Sequence, residues 1–184
     1  MGRTRSEASR RAILDAAIAE LREHGYPAVT VDGIAARAGA GKQTIYRWWG
    51  SKADVVLDAV LDLAEATIAL PDEGTLAADL DAFLTATFRQ RDQRDALAGL
   101  MAHSVLDPAF ATPFRERFLF RRRAALRTLL DRGRARGEIA PDIDLELVVD
   151  VVFGVLWYRL LVENAPLSED AGHELTDLVL RALR

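Results

Sequence analysis

The chain has 184 residues, half of them apolar, with no cysteine and a net charge of −4. That length and composition can bury one sizeable core or two small ones in contact, and the absence of cysteine excludes disulfides, thiol nucleophiles and cysteine–zinc sites. The charge is uneven: nine basic and five acidic residues up to Lys52 leave that stretch at +4 and the remainder at −8, the balance expected when only a basic head meets a polyanion.

Arg3-Thr-Arg-Ser-Glu runs directly into an amphipathic pattern, so no secretory leader is expected. The most apolar stretch, Leu145–Val162, is interrupted by Glu146, Asp150 and Arg159 and is expected not to span a bilayer. The expectation is a cytoplasmic chain.

Apolar positions recur at helical spacing almost throughout and no run alternates with period two, which predicts an all-α protein of about nine helices. Ser6 is the expected N-cap of a first helix whose buried face is Ile13, Leu14, Ala17, Ile18 and Leu21; Gly25 and Pro27 stop it. Thr30 caps a short second helix that ends at Gly39. A third runs from about Lys42 to Trp48 or Trp49. Ser51 caps a long fourth helix, Lys52 to about Leu70, ended by Pro71 and expected to be a rigid link between domains. A helix follows Thr75, and another covers roughly Asp95 to Val105. Thr112-Pro113 reads as a cap with proline at N1, opening a helix that ends at Gly137. Asp144 caps a helix to about Asn164, and Ser168-Glu169 begins the last. The expected division is a basic head over 1–52 and a helical body over 53–184.

The segment from Thr30 to Trp49 is the strongest signal: a short helix, a turn with Gly39 and Gly41, and a second short helix, a helix-turn-helix. Ala35 and Ala38 allow the helices to cross closely. On a helical wheel Ile45 and Trp49 point inward, Gln43, Tyr46 and Arg47 outward, and Thr44 and Trp48 lie on the flank, while Lys42 sits at the exposed N-terminal end that meets base edges in such motifs. Arg and Lys pair with guanine and Gln with adenine; Thr30, Thr44, Tyr46 and Lys52 suit phosphates. The alternative is an ordinary three-helix bundle with a solvated polar face.

Arg11-Ala-Ile-Leu-Asp-Ala-Ala, Gly25-Tyr26, Thr30-Val-Asp-Gly-Ile-Ala, Ala38-Gly39, Thr44-Ile-Tyr46 and Ser51-Lys52, in that order, resemble the N-terminal domain of the TetR-type repressors over roughly 9–60. The resemblance implies that Tyr46 and Lys52 grip phosphates with help from Thr30 and Thr44, and that Lys42, Gln43 and Arg47 face the bases. Two positions depart from the pattern. Gly41 stands where the family usually caps with Ser, a modest loss, and Trp48-Trp49 replaces the commoner His-Phe, with Trp48 on the flank and Trp49 assigned to the core.

The helix over 145–162 is apolar nearly all round and must be buried on two sides. The last helix carries a stripe of Leu175, Leu178, Val179, Ala182 and Leu183, which the chain, ending at Arg184, is expected to leave uncovered. A symmetric partner would do so, with Val148, Val152, Val155 and that stripe in a four-helix interface, and with Gly154 and Gly172 permitting close approach. A monomeric bundle is the alternative. The resemblance further implies a small-molecule pocket, for which Phe83, Thr87, Phe88, Leu100, Met101, Ser104, Phe110, Phe114, Phe118, Phe153 and Trp157 are the candidate lining, although an aromatic stripe at helical spacing is ordinarily core.

His24, His103 and His173 lie on separate segments without metal-ligand spacing. Arg121-Arg122-Arg123 point in different directions and read first as solvated face and salt bridges, with an anionic-ligand site as the alternative. No phosphate loop, nucleophile elbow or triad is present, so no cofactor, metal or enzymatic activity is expected. The leading expectation is a homodimeric repressor of near-palindromic operator DNA, released by a small apolar effector. A constitutive DNA-binding regulator, or a helical small-molecule-binding protein or enzyme retaining the head as structure, are the alternatives.

Overall fold

The computed structural model describes the backbone of residues 2–67, 70–89 and 94–184, and the side chains of 7–63, 70–89 and 94–184. Among the described residues the elements are α1 (Gly2–Ala28), α2 (Val31–Ala38), α3 (Lys42–Tyr46), α4 (Lys52–Thr67), α5 (Leu76–Phe88), α6 (Arg94–Leu106), α7 (Pro108–Phe114), a π turn (Arg115–Leu119), α8 (Phe120–Ala135), α9 (Leu145–Val162) and α10 (Glu169–Ala182). They make nine helices if the unbroken run from α7 through the π turn into α8 is counted as one, and no strand. Among the described residues, no helix is long and apolar enough to cross a membrane. Packing groups residues 1–66 with 92–118, and 67–91 with 119–184.

Local sequence explains most helix starts. Thr30, Thr75 and Ser168 each accept from the backbone N–H three residues on, and the Asp144 carboxylate accepts from Glu146 and Leu147; each bond satisfies a donor that the first turn would otherwise leave unpaired. Ser51 Oγ accepts from Asp54 N at 3.2 Å and donates to the Asp54 carboxylate at 2.7 Å, a reciprocal cap opening α4. Several boundaries differ from expectation, among them the end of α3, which falls at Tyr46 rather than Trp48 or Trp49. α1 begins at Gly2, ahead of the expected cap at Ser6, whose side chain lies outside the described residues. α4 ends at Thr67, and Leu70 is not helical. The helix assigned to Thr112-Pro113 starts earlier, because Asp107-Pro108 has the same sequence grammar: Asp107 accepts from Ala109 N at 2.9 Å with Pro108 at the first helical turn. Pro113 is therefore inside α7, immediately before the π turn.

In the first unit α1 packs on α2 and α6, α2 on α3, and α6 on α7. Ile13, Leu14 and Ala17 of α1, Ile34, Ile45, Trp49 and the Val55-Val-Leu57 run of α4 are buried. Tyr26, just past the helix break at Gly25 (φ 70°), lies against α6 so closely that a Cβ on Gly99 would sit 2.3 Å from its ring. Burial, and secondarily Asp54, raises the Tyr26 phenol to about 12.

In the second unit α5 packs on α10 and α8, and α8 on α9, around Leu80, Phe83, Leu84, Phe88, Leu126, Leu129, Val149, Phe153 and Val179. Asp79, fully buried, accepts from Glu73 N at 2.7 Å and from Arg136 at 3.3 Å, joining the ends of α5 and α8. At Gly172 a Cβ would lie 2.9 Å from Thr85 Cα, so the backbones of α10 and α5 nearly touch. This corrects the reading of the last helix. Leu175, Val179 and Leu183 are buried in the unit's own core, because α5 covers that stripe, and so is Val152 of α9. The close approach at Gly172 is made within the chain. Val148 and Val155 are half-buried, and Leu178 and Ala182 are exposed. The uncovered apolar face is on α9: Leu147, Val151, Tyr158 and Leu161 are all exposed, with open space at Gly154 between them.

Candidate nucleic-acid interface

The helix-turn-helix is held from inside by apolar packing and from behind by an ionic clamp. Ile34 and Ile45 are fully buried and Trp49 nearly so. Gly39 ends α2 in the left-handed region (φ 61°), its N–H directed at the Ala35 and Ala36 carbonyls, and so sets the turn toward α3. Gly41 precedes α3 with extended backbone and no side-chain cap. On the other side of α2, Arg37 donates to the buried Glu20 of α1 at 2.7 Å and to Glu23. The hydrogen bond from Arg37 lowers the Glu23 carboxyl below its ordinary range, and the bonds to Glu20 and Glu23 raise the guanidinium. Glu20 also explains the glycine at position 33, where a Cβ would meet its carboxylate at 2.6 Å.

Against this frame, Lys42, Gln43, Tyr46 and Arg47 are exposed, Tyr46 by 56%. An exposed tyrosine beside two cations and an amide on a helix of five residues has no packing explanation. Thr30 is exposed but its hydroxyl oxygen caps Gly33 N at 3.0 Å. Thr44 and Trp48 are half-buried, and the Trp48 ring lies 5.6 Å from that of Trp49.

Two contacts were not legible in the sequence. Lys42 forms an ion pair with Asp32 of α2, a pairing across the turn that only the crossing of the two helices creates. Lys52 Nζ donates to the carbonyls of Tyr26 at 3.2 Å and Pro27 at 3.4 Å and lies 4.8 Å from the Tyr26 ring centre, so it ties α4 to the end of α1 as a cation near a helix C-terminus does.

The expected effector lining is placed as follows. In the first unit Leu100, Phe110, Phe114 and Phe118 are buried, with Phe110, Phe114 and Phe118 stacked at 5.9 and 5.7 Å, and Met101 and Ser104 are half-buried. In the second unit Phe83, Phe88 and Phe153 belong to the core, and Thr87 and Trp157 are half-buried. The Arg121-Arg122-Arg123 run is not simply a solvated face. Arg123 does pair with Asp150 at 2.5 Å and Glu146 at 3.1 Å, but Arg122 turns inward over Phe83. The histidines sit beside carboxylates: His24 near Glu20 and Glu23, His103 near Asp107, and His173 near Asp81.

Residues 13–59 match the family model described as bacterial regulatory proteins, tetR family, and residues 70–179 match that of the tetracyclin repressor-like C-terminal domain. The chain belongs to the TetR family. It is similar to YdeS, an uncharacterized HTH-type transcriptional regulator of Bacillus subtilis (strain 168), at 36% identity over 100% of this chain and 92% of YdeS. The DNA-binding transcriptional repressor TetR of Mycobacteroides abscessus is 31% identical over 97% of this chain and 95% of its own length. The crystal structure of the TetR family transcription regulator SCO0332 aligns with a TM-score of 0.81 at 30% identity, covering 96% of this chain and 98% of the other. This TetR-family chain is a DNA-binding transcriptional regulator, not an enzyme.

Proposed function

We propose that this TetR-family regulator is a cytoplasmic homodimeric repressor that binds a near-palindromic operator and leaves it when a small molecule binds. The carrying observation is the outward set Lys42, Gln43, Tyr46 and Arg47 on and just after α3, while Ile45 within the helix and Trp49 beyond its end are buried. Residues 1–52 are the reading head and 53–184 the part that pairs and senses. Lys42, Gln43 and Arg47 are assigned to base edges, Thr30, Thr44, Tyr46 and Lys52 to phosphates, and Trp48 to the flank of the groove. Two heads on a dimer enter successive major grooves, so the half-sites lie about one helical turn, or a small multiple, apart.

The dimer reading is supported by the exposed Leu147, Val151, Tyr158 and Leu161 face of α9 together with Leu178 and Ala182 of α10; that many large apolar side chains on one helix face marks a contact surface. Repression is supported by the Mycobacteroides abscessus relative, which is named a repressor. Effector release requires a ligand that binds the DNA-free arrangement better than the DNA-bound one. The test is a titration of the purified protein against duplex fragments flanking its own gene and against scrambled duplex, with light scattering of the free protein. A dimer that prefers one flanking fragment is expected. A monomer, or equal binding to every fragment, would overturn the reading.

A further inference from the structure

Arg122 projects from α8 onto two successive turns of α5 in the second unit. Its guanidinium carbon lies 4.9 Å from the centre of the Phe83 ring. One nitrogen donates to Thr87 Oγ1 at 2.7 Å, and the same hydroxyl donates to the Phe83 carbonyl at 2.7 Å. The single hydroxyl proton is thus committed to the backbone, leaving the oxygen's lone pair to orient the guanidinium. Thr87 and Phe83 fix the direction of the fork but supply no counter-charge. Among the described residues no carboxylate pairs with Arg122, whereas Arg123, Arg127 and Arg136 on the same stretch each meet at least one. Burial pushes the guanidinium down to about 10, which leaves it cationic at neutral pH.

A largely buried cation held in a fixed orientation by neutral groups is costly without an anion. Arginine presents five donors in a planar fork that matches a carboxylate through two parallel bonds, and Thr87 uses one nitrogen. We propose that Arg122 is the anion anchor of a small-molecule site in the second unit, taking an organic acid: one carboxylate on an apolar or aromatic body. A doubly charged phosphate fits less well, because the adjacent cation, Arg123, is already engaged by Asp150 and Glu146. The apolar body follows from the surroundings, since Phe83 and Leu126, one helical turn from Arg122 on α8, both belong to the apolar cluster. This rests on the effector-binding reading of residues 53–184 and adds a charge to the apolar ligand expected from sequence.

The test uses the full chain and four probes: 2-naphthoate and decanoate, each beside its uncharged primary amide, titrated calorimetrically. At least one carboxylate is expected to bind ten or more times tighter than its amide, and Arg122→Met is expected to erase the difference. Should Arg122→Met fail to fold, Arg122→Lys keeps the charge, loses the fork, and is expected to lose most of the preference. Equal affinity for acid and amide, no binding of any probe, or a preference that survives in the variant overturns the site. Operator titration with decanoate present separates the two readings. Binding through Arg122 without a change in operator affinity leaves the site and removes effector release. Release by decanoate and decanamide alike, unaffected by Arg122→Met, removes the site and leaves release standing.

Discussion

Trp49 Nε1 donates to Asp58 Oδ2 at 2.9 Å, and the other oxygen of the same carboxylate receives Arg117 from the π turn. Arg10 of α1 approaches Asp58 at 3.8 Å. One mostly buried carboxylate on α4 therefore holds the end of the reading segment, the first helix and the turn that follows α7. Asp58→Ala leaves a buried indole N–H and a guanidinium without their acceptor, and is expected to lower stability by about 1–3 kcal/mol and to weaken DNA binding with it. Trp49→Phe keeps the ring and removes only the donor, so its loss should be smaller. Thermal melts of both variants with duplex titrations check this; a wild-type melt for Asp58→Ala would show that the carboxylate holds nothing.

The Lys42–Asp32 pair sets a second expectation. Both side chains are more than half exposed, so the pair contributes at most about 1 kcal/mol to folding. If Lys42 meets DNA as proposed, the larger effect falls there, because Asp32 would hold its ammonium back and bring a negative charge toward the phosphates. Asp32→Asn is expected to tighten binding to any duplex severalfold at low salt, with the gain shrinking as ionic strength rises. Anisotropy titrations at two salt concentrations measure it. An unchanged or weakened affinity would place Asp32 away from the DNA.

The parts of this fold that could be read in advance are those decided within four residues. The caps at Thr30, Ser51, Thr75, Asp144 and Ser168 needed only a side-chain oxygen at the right offset. The outward set on α3 needed only helical periodicity. What escaped was decided across the sequence. Nothing near Leu175 or Val179 reveals that α5, some ninety residues earlier, covers them. Asp107-Pro108 and Thr112-Pro113 carry the same start signal, and only packing chooses between them. Lys52 looked like a free phosphate partner because its acceptors are backbone carbonyls, which have no sequence signature. Arg122 sits in a run of three arginines whose members differ only in what lies beneath them.

His173 Nδ1 is 2.6 Å from Asp81 Oδ1, and the hydrogen bond to Asp81 raises the imidazole above its ordinary 6.5. A folded-state pKa raised above the unfolded one gives stability that is complete below 6.5 and lost as the pH rises through the folded value. The pair joins α10 to α5 but is exposed, so the effect is small. The melting temperature of the wild type is expected to fall more than that of Asp81→Asn as the pH rises above 6.5. Parallel curves for the two proteins would remove the linkage.

Gly172 lies where α10 presses on α5, with Thr85 Cα and N and the Leu84 carbonyl carbon at 2.9–3.1 Å from a would-be Cβ. Backbone cannot swing aside as a side chain can, so the helices must separate. Gly172→Ala would gain helix propensity but is expected to lose about 1–3 kcal/mol net from overpacking. Gly154→Ala, with nothing within 4 Å, is expected to hold or raise monomer stability. If Gly154→Ala instead weakens self-association in analytical ultracentrifugation, the α9 face is the dimer contact; if it changes nothing there, that surface is not closely packed against a partner.

The reading head gives the sharpest contrast, between Gln43 and Lys52. Gln43 is exposed and points outward from α3, so its amide is available to an adenine edge. Lys52 is half-buried and holds two carbonyls of the α1 end, which leaves its charge beside the interface while its stem and ammonium rest on Tyr26. Removing each should fail differently. Gln43→Ala is expected to cost roughly 1–3 kcal/mol per half-site at one base position and to leave binding to scrambled duplex nearly intact. Lys52→Met keeps an apolar stem against Tyr26 but removes the charge, so it should weaken operator and scrambled duplex alike. Its salt slope should fall by about one unit per lost phosphate contact, about two in a dimer. Its melting temperature should also drop, because the carbonyls lose their donor, whereas that of Gln43→Ala should not move. Titration of both variants against both duplexes at several salt concentrations, with melts of the free proteins, separates the roles. A salt slope unchanged in Lys52→Met together with a lowered melting temperature would make Lys52 purely a tie between α4 and α1. Equal losses on operator and scrambled duplex in Gln43→Ala would take Gln43 off the bases.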